Sequence, residues 1–149
     1  FLNVGAMGHA SSIALGMAVG NPRKYVVCLD GDASAIMHLG SLAVAGNSGR
    51  SNFLHIILNN GIHESVGGQP SVGHKISFTG IAHNAGYSTV GQEIVDKIGL
   101  ESAIRELIGK PGPGFIDLRI RKGIRSDIPK LNVSLLDLKN QLMSNIKDD

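Results

Sequence analysis

Two short polar turns hold side chains that could do chemistry together. Asp30-Gly31-Asp32-Ala33-Ser34 follows the apolar run Tyr25 to Leu29, and Asn59-Asn60-Gly61-Ile62 follows the run Phe53 to Leu58. If those runs are adjacent parallel strands, an Asp carboxylate and an Asn amide oxygen come within reach of one ion. With a backbone carbonyl they make a hard, all-oxygen, incomplete shell. Mg²⁺ suits such a shell, because it commonly completes its octahedron with phosphate oxygens and water. A helix beginning just after Asp32 would aim free N–H groups, including those of Ala33 and Ser34, at the same place. An ion beside a helix N-terminus defines a diphosphate site. Gly, Asp and Asn are also ordinary turn residues, so neither turn alone would carry this reading; the pair at two strand ends does.

The elements that must position these turns follow from periodicity. Tyr25–Leu29 and Phe53–Leu58 read as buried parallel strands. Tyr87–Val90 and Gly114–Ile120 are further candidates, the latter preceded by the turn Pro111-Gly112-Pro113. Helices are expected over His9–Val19, which is rich in small residues and suited to close contact with another surface, and over Ala35–Ala45. Two more are expected over Glu93–Ile108 and from Ser134 onward, where Leu135, Leu138, Leu142 and Ile146 recur at helical spacing and Asp137 caps. Alternating strands and helices imply right-handed crossovers and a three-layer α/β/α fold with a mainly parallel sheet. Ligands on such sheets bind at the carboxyl ends of the strands, where the two polar turns stand.

Composition agrees. The chain has 149 residues, 42% apolar and 17% charged, and most of its twenty glycines fall in its first two-thirds. That is one domain with a real core, and a site is expected where the glycines are. A net charge of +2 gives no reason to expect nucleic acid or an acidic membrane surface as a partner. The basic run Arg119, Arg121, Lys122 and Arg125 reads as a solvated face. No apolar stretch is long enough for a membrane span, and no signal peptide is visible. The single Cys28 sits in an apolar run and reads as a buried, inert thiol; one cysteine fits a reducing compartment, so the expected location is the cytoplasm. His9 and His38 are expected to cap or pack, and His55 to be structural. The chain opens Phe1-Leu2-Asn3-Val4 rather than with Met, as if a strand were already under way, and is expected to come from a longer protein.

Leu15-Gly16, Pro22, Val27, Leu29 and Gly31-Asp32-Ala33-Ser34, with Asn59-Asn60 downstream, resemble the signature of thiamine-diphosphate enzymes. In that signature Gly-Asp and two small residues precede Asn-Asn by some 26 or 27 residues; here 27 residues separate Asp32 from Asn60. The resemblance implies bound thiamine diphosphate and Mg²⁺, with the metal held by Asp32, Asn60 and the Ile62 carbonyl, and Asn59 as the alternative to Asn60. Gly31, Ala33 and Ser34 would line the diphosphate. Gly5-Ala6-Met7-Gly8 is similar to the family's loop around the aminopyrimidine ring. Gly5 would accept a hydrogen bond from the cofactor's amino group, and Met7 would wedge the cofactor into a bent shape.

The stretch Asn59-Asn60-Gly61-Ile62-His63-Glu64-Ser65-Val66-Gly67-Gly68-Gln69-Pro70 resembles phosphonopyruvate decarboxylases and the related sulfopyruvate decarboxylases, as do Gly8-His9-Ala10-Ser11-Ser12 and Met37-His38-Leu39-Gly40-Ser41-Leu42. That implies a small anionic 2-oxo acid as substrate, a 3-phosphono- or 3-sulfo-2-oxopropanoate losing CO₂ to give the aldehyde. His63 is the candidate catalytic residue. Ser65, Gln69 and the N–H groups of Gly67 and Gly68 are candidates for holding the anion. The resemblance covers about the first 125 residues, which form the cofactor-binding core; residues 126–149 read as a linker and amphipathic helix of the same domain.

Three other readings fit the sequence less well. A dinucleotide-binding domain needs a third glycine after the first strand, and Asp-Gly-Asp-Ala-Ser-Ala lacks it. A non-catalytic cofactor-binding relative would have no need of the wedge. A carboligase of the same family is disfavoured by the His63–Pro70 stretch. The family's activating glutamate belongs to a second, pyrimidine-binding domain, and no segment here resembles that domain. The resemblance therefore implies a chain incomplete by itself: a cut-down form of a longer chain or a β-type subunit, in a homo- or hetero-oligomer.

Overall fold

The computed structural model describes residues 2–129 and 131–147. The strands are β1 (Val26–Gly31), β2 (Phe53–Asn59), β3 (Ser88–Thr89) and β4 (Gly114–Arg119). They pair in the order β1-β2-β4-β3, and every pairing is parallel. The helices are α1 (Ala10–Gly20), α2 (Asp32–Met37), α3 (Gly40–Asn47), α4 (Phe78–Asn84), α5 (Lys97–Leu107) and α6 (Leu135–Lys147).

Each strand sends alternate side chains to opposite faces, and the parallel register decides which residues share one. Val26, Cys28 and Asp30 stand beside Phe53, His55 and Ile57, and the latter run beside Phe115 and Asp117. Helices α1, α3 and α4 cover this face through Ala14, Ala18, Leu42, Ala45, Phe78 and Ala82. On the other face Leu54, Ile56, Ile116 and Leu118 meet Ala103 and Leu107 of α5. Helices on both faces make the three layers that the alternating pattern implies. The start of β2 is tied down by Asn52, whose Nδ2 donates to the carbonyls of Ala18 at 3.0 Å, Asn21 at 3.2 Å and Lys24 at 2.9 Å.

β1 forms one margin of the sheet. On its α5-side face Val27 and Leu29 are 51% and 57% exposed, because α5 packs over β2 and β4 and does not reach them. An apolar hollow beside them is lined by Leu2, Val4, Ile13 and Met17, and by Leu142 and Ile146 of α6.

Several boundaries differ from expectation. Residues 2–5 form no strand, and Phe1 lies outside the described residues. The single helix expected over Ala35–Ala45 is two, broken at His38 and Leu39. The helix expected from Glu93 starts at Lys97, because Asp96 caps it by accepting from the Gly99 N–H at 2.8 Å. α4 was not anticipated: seven residues are too few for helical periodicity to stand out, and its cap, Ser77 accepting from Gly80, sits in a polar stretch. The last helix starts as read, with the Asp137 N–H donating to Ser134 Oγ at 3.1 Å. Of the expected linker and helix, residues 130, 148 and 149 lie outside the described residues.

Candidate cofactor and metal site

β1 and β2 end side by side, with Gly31 opposite Leu58, so the two polar turns emerge together. Asp32 opens α2, and no side chain caps that helix; its N-cap is Gly31. Asp32 and Asn59 are both buried, at 1% and 0% exposure. A Cβ added to Gly73 would stand 2.2 Å from Asp32 Oδ2 and 2.7 Å from Asn59 Oδ1. The two oxygens therefore converge on one point, and only a glycine backbone fits over them.

Asn59 has little freedom to turn its oxygen elsewhere. Its Nδ2 donates to the Gly73 carbonyl and to Asp117 Oδ1, each at 3.0 Å. Its Oδ1 has no hydrogen-bond partner. A buried carbonyl oxygen without a donor is costly, and here a carboxylate oxygen faces it. Ser71 Oγ donates to that carboxylate, which relieves part of the negative charge and leaves the amide oxygen unanswered. A hard cation between the two oxygens would satisfy both. The residues present fit such an ion.

Asn60 points differently. Its Nδ2 donates to Glu64 Oε2 at 2.8 Å, and its Oδ1 accepts from the Ile62 N–H at 3.1 Å. Glu64 also accepts from the Gly123 N–H at 2.8 Å, so this turn is held from outside. Of the three expected metal ligands, Asp32 is brought to Asn59, while Asn60 and Ile62 form a local turn beside them.

The following loop folds back on itself. Ile62 bridges Pro70, the His63 N–H donates to the Gln69 carbonyl at 2.8 Å, and Glu64–Val66 make one 3₁₀ turn. His63 is half-buried, whereas Ser65, Gly67, Gly68 and Gln69 are exposed. The expected anion nest needs correction at Gly68, because its N–H donates to the His63 carbonyl at 2.9 Å and is already used. Gln69 turns back over Gly67: its Oε1 lies 2.7 Å from where a Cβ on Gly67 would stand.

The Gly5–Gly8 loop lies at the N-terminus of α1. Gly5, Ala6 and Met7 are exposed and Gly8 is buried. The Gly8 N–H donates to Ser34 Oγ at 2.8 Å, and Ser34 Oγ donates to Asp30 Oδ1 at 2.5 Å. The Ser34 hydroxyl is thus occupied by this loop, leaving its backbone N–H as the group for a diphosphate. Leu135 of α6 lies over the loop, 2.7 Å from the Cβ position of Gly5.

Buried titratable groups surround the site. Burial pushes the Asp117 carboxyl up, against the hydrogen bond from Asn59 and the charge of Arg119, which pull it down. Burial also pushes Asp30 up, but the neighbouring His55 imidazole and the hydrogen bond from Ser34 outweigh it and hold the carboxyl below its ordinary value. The Cys28 thiol is pushed up to about 12 by burial and by the neighbouring Asp30, the inert thiol expected of its apolar run. His9 and His38 pack on each other with ring centroids 4.4 Å apart. Of the basic run, Arg121, Lys122 and Arg125 are exposed, as a solvated face requires, whereas Arg119 is half-buried and its Nε pairs with Glu93 Oε1 at 3.0 Å, because β4 carries it next to the Glu93 stretch. Asp117, Ser71, Gly73 and Glu64 were missed in the sequence; only Asp117, an acid inside an apolar strand run, left a readable signal.

Comparison with known proteins identifies the family. The sequence profile of the family described as "Thiamine pyrophosphate enzyme, C-terminal TPP binding domain" matches residues 2–118. Phosphonopyruvate decarboxylase of Streptomyces viridochromogenes is 38% identical over 123 residues, 83% of this chain and 30% of that protein. Sulfopyruvate decarboxylase subunit beta of Methanothermobacter thermautotrophicus is 28% identical over 147 residues, 99% of this chain and 75% of that subunit. The chain thus spans under a third of the first relative and three-quarters of the second. A solved structure of a Mycobacterium smegmatis protein, described as a thiamin diphosphate-dependent enzyme, has the same fold, with a TM-score of 0.65 at 20% identity over 79% of this chain and 23% of that one. Among the described residues no helix is long and apolar enough to cross a membrane. The chain belongs to the thiamine pyrophosphate enzymes and carries their C-terminal cofactor-binding domain.

Proposed function

We propose that this chain is the diphosphate- and metal-binding half of a thiamine-diphosphate-dependent 2-oxo acid decarboxylase, converting 3-phosphonopyruvate to phosphonoacetaldehyde and CO₂. The observation that carries the reading is the convergence of Asp32 Oδ2 and the orphaned Asn59 Oδ1 at one point beside the start of α2. Mg²⁺ there would be held by Asp32, one amide oxygen of the Asn59–Asn60 turn and the Ile62 carbonyl. The uncapped N–H groups of α2, with Gly31, Ala33 and Ser34, would face the diphosphate. Gly5 and Met7 would hold and bend the pyrimidine end. Thiamine diphosphate, when bound, supplies the electron sink for loss of CO₂.

His63 is the residue assigned to the substrate, because it opens the 3₁₀ turn directly after the metal-binding stretch and is half-buried rather than solvated. The Gly67 N–H, Ser65 and Gln69 are assigned to the anionic end. The activating glutamate would come from a pyrimidine-binding domain or subunit, which makes the active site an interface in an oligomer. The stretch from Asn59 to Pro70 and the 38% identity to a phosphonopyruvate decarboxylase support the phosphonate substrate. One observation favours a second reading, sulfopyruvate with this chain as a β-type subunit: the similarity to the Methanothermobacter β subunit extends over 99% of the chain. Combining the chain with its pyrimidine-binding partner and assaying phosphonopyruvate, sulfopyruvate and pyruvate separates these. Turnover of phosphonopyruvate supports the first reading, and turnover of sulfopyruvate alone supports the second. Turnover by the chain without a partner overturns its incompleteness.

A further inference from the structure

A buried carboxylate in a parallel strand is expensive unless something holds it. Asp30 is 4% exposed on the face of β1 packed against α1 and α3. The metal reading does not use it, since Asp32, two residues on at the start of α2, supplies the carboxylate there. Its two oxygens are divided between two neighbours. Oδ1 accepts the Ser34 hydroxyl at 2.5 Å, and Oδ2, which accepts no hydrogen bond, stands 3.6 Å from Nε2 of His55, an electrostatic contact rather than a hydrogen bond. His55 is itself 1% exposed, sits on β2 beside Cys28 in the register and is wedged edge-on against Phe115, with ring centroids 5.5 Å apart. Packing therefore fixes the imidazole, and the imidazole faces the carboxylate.

The consequence reaches the surface. Because the Ser34 hydroxyl donates to Asp30, the serine oxygen turns a lone pair outward and accepts from the Gly8 N–H. Among the described residues this is the hydrogen bond that ties the Gly5–Gly8 loop to α2 and, through Asp30, to the sheet; the loop's other hydrogen bonds run to Asn3 or His9. Gly8 has φ +84°, and a Cβ there would fall 2.2 Å from His38 Nδ1, so the loop end is clamped between Ser34 and His38.

We infer that Asp30 and His55 are positioning residues: a buried His55–Asp30–Ser34 chain sets the donor–acceptor direction at Ser34 and thereby fixes the Gly5–Gly8 loop against which the pyrimidine half of the cofactor rests. The inference rests on the proposed cofactor reading for its purpose, though not for its structural part. Asp30 touches nothing that reacts and acts through Ser34.

The test has two readouts on the 149-residue chain. Amide hydrogen exchange at Gly8 is measured by NMR for the wild type, His55→Leu, His55→Gln, Asp30→Asn and Ser34→Ala. Calorimetry then compares binding of Mg²⁺ with thiamine diphosphate against Mg²⁺ with inorganic pyrophosphate. Gly8 exchange should quicken about tenfold in Asp30→Asn, Ser34→Ala and at least one folded His55 variant, the effect of about one weakened hydrogen bond. Thiamine diphosphate should weaken about tenfold while pyrophosphate is unchanged, a split that general loosening of the fold would not give. Unchanged Gly8 exchange in folded His55→Gln and Asp30→Asn would overturn the inference. So would one equivalent of zinc copurifying with the wild type and absent from His55→Leu, because Cys28, Asp30 and His55 offer ligand atoms within 4.8 Å of one another and Asp30 would then be a ligand. If wild type binds neither diphosphate but Gly8 still responds, the positioning chain stands and the cofactor reading falls.

Discussion

Asp32 at the start of α2 and Asn59 at the end of β2 turn their oxygens toward one point, and Gly73 covers that point with bare backbone. The asparagine cannot rotate its amide, because both Asp117 and the Gly73 carbonyl hold its nitrogen. Charge and amide dipole are thus set for a cation before any ion arrives.

Removing either oxygen should remove the ion. Asp32→Ala should weaken Mg²⁺-dependent binding of thiamine diphosphate by on the order of 100-fold, the upper end of what disturbing a metal site costs. Of Asn59→Ala and Asn60→Ala, the ligand should match that loss and the neighbour should lose about tenfold. Calorimetry with and without Mg²⁺ reads both. Equal, small losses in all three variants would remove the site.

Glu64 holds the outer asparagine, so Glu64→Ala should free Asn60 and the 3₁₀ turn from Gly123. Faster proteolysis between residues 60 and 70 is expected, with metal affinity down about tenfold if Asn60 is the ligand and unchanged if Asn59 is. The same titration therefore reports which amide faces the ion.

Gly73→Ala should be disproportionately harmful for a one-methyl change. The new Cβ would fall at 2.2 Å from a carboxylate oxygen fixed in the interior. About 1–3 kcal/mol of stability should be lost, as for other insertions into packed regions, together with metal binding. A denaturant titration and a Mg²⁺ titration check the two losses separately.

Alkaline pH should destabilise the fold through two groups on the α1-side face. Cys28 is pushed from about 9 to about 12, and Tyr87 is pushed up further by burial and by Cys28. In the unfolded chain both release their protons earlier. Their neutral forms therefore support the fold fully below about pH 9, and that support is lost as pH rises toward 12. The double variant Cys28→Ala, Tyr87→Phe should show a flatter alkaline limb in thermal melts. The Tyr87 hydroxyl has no partner to lose, so Phe is tolerated there.

How much of this could be read in the sequence depends on where each residue's partner lies. Asp32 and Asn59–Asn60 each follow a strand that announces itself by a run of apolar residues, so parallel pairing alone brings them together. α2 and α3 were merged because Ala35 to Ala45 is apolar or small throughout, and nothing in that composition marks the break at His38. The burial of His55 follows from its place inside a strand, but its relation to Asp30 depends on β1 and β2 pairing in a register that sets Cys28 opposite His55. The hold of Asp117 on Asn59 depends in the same way on β4 lying next to β2 rather than β3. Gly73 left no trace at all, since its role lies in the side chain it lacks.

The bare flank of β1 has a bearing on handling the protein. Tyr25-Val26-Val27-Cys28-Leu29 is an uncharged stretch with strong strand preference, and it forms the margin of the sheet with Val27 and Leu29 half in solvent. Such a ribbon templates stacking of like chains whenever concentration is high or folding is slow. Recombinant yield of the chain on its own should therefore be limited by precipitation, and a single Lys in place of Val27 should raise the soluble fraction without touching either polar turn.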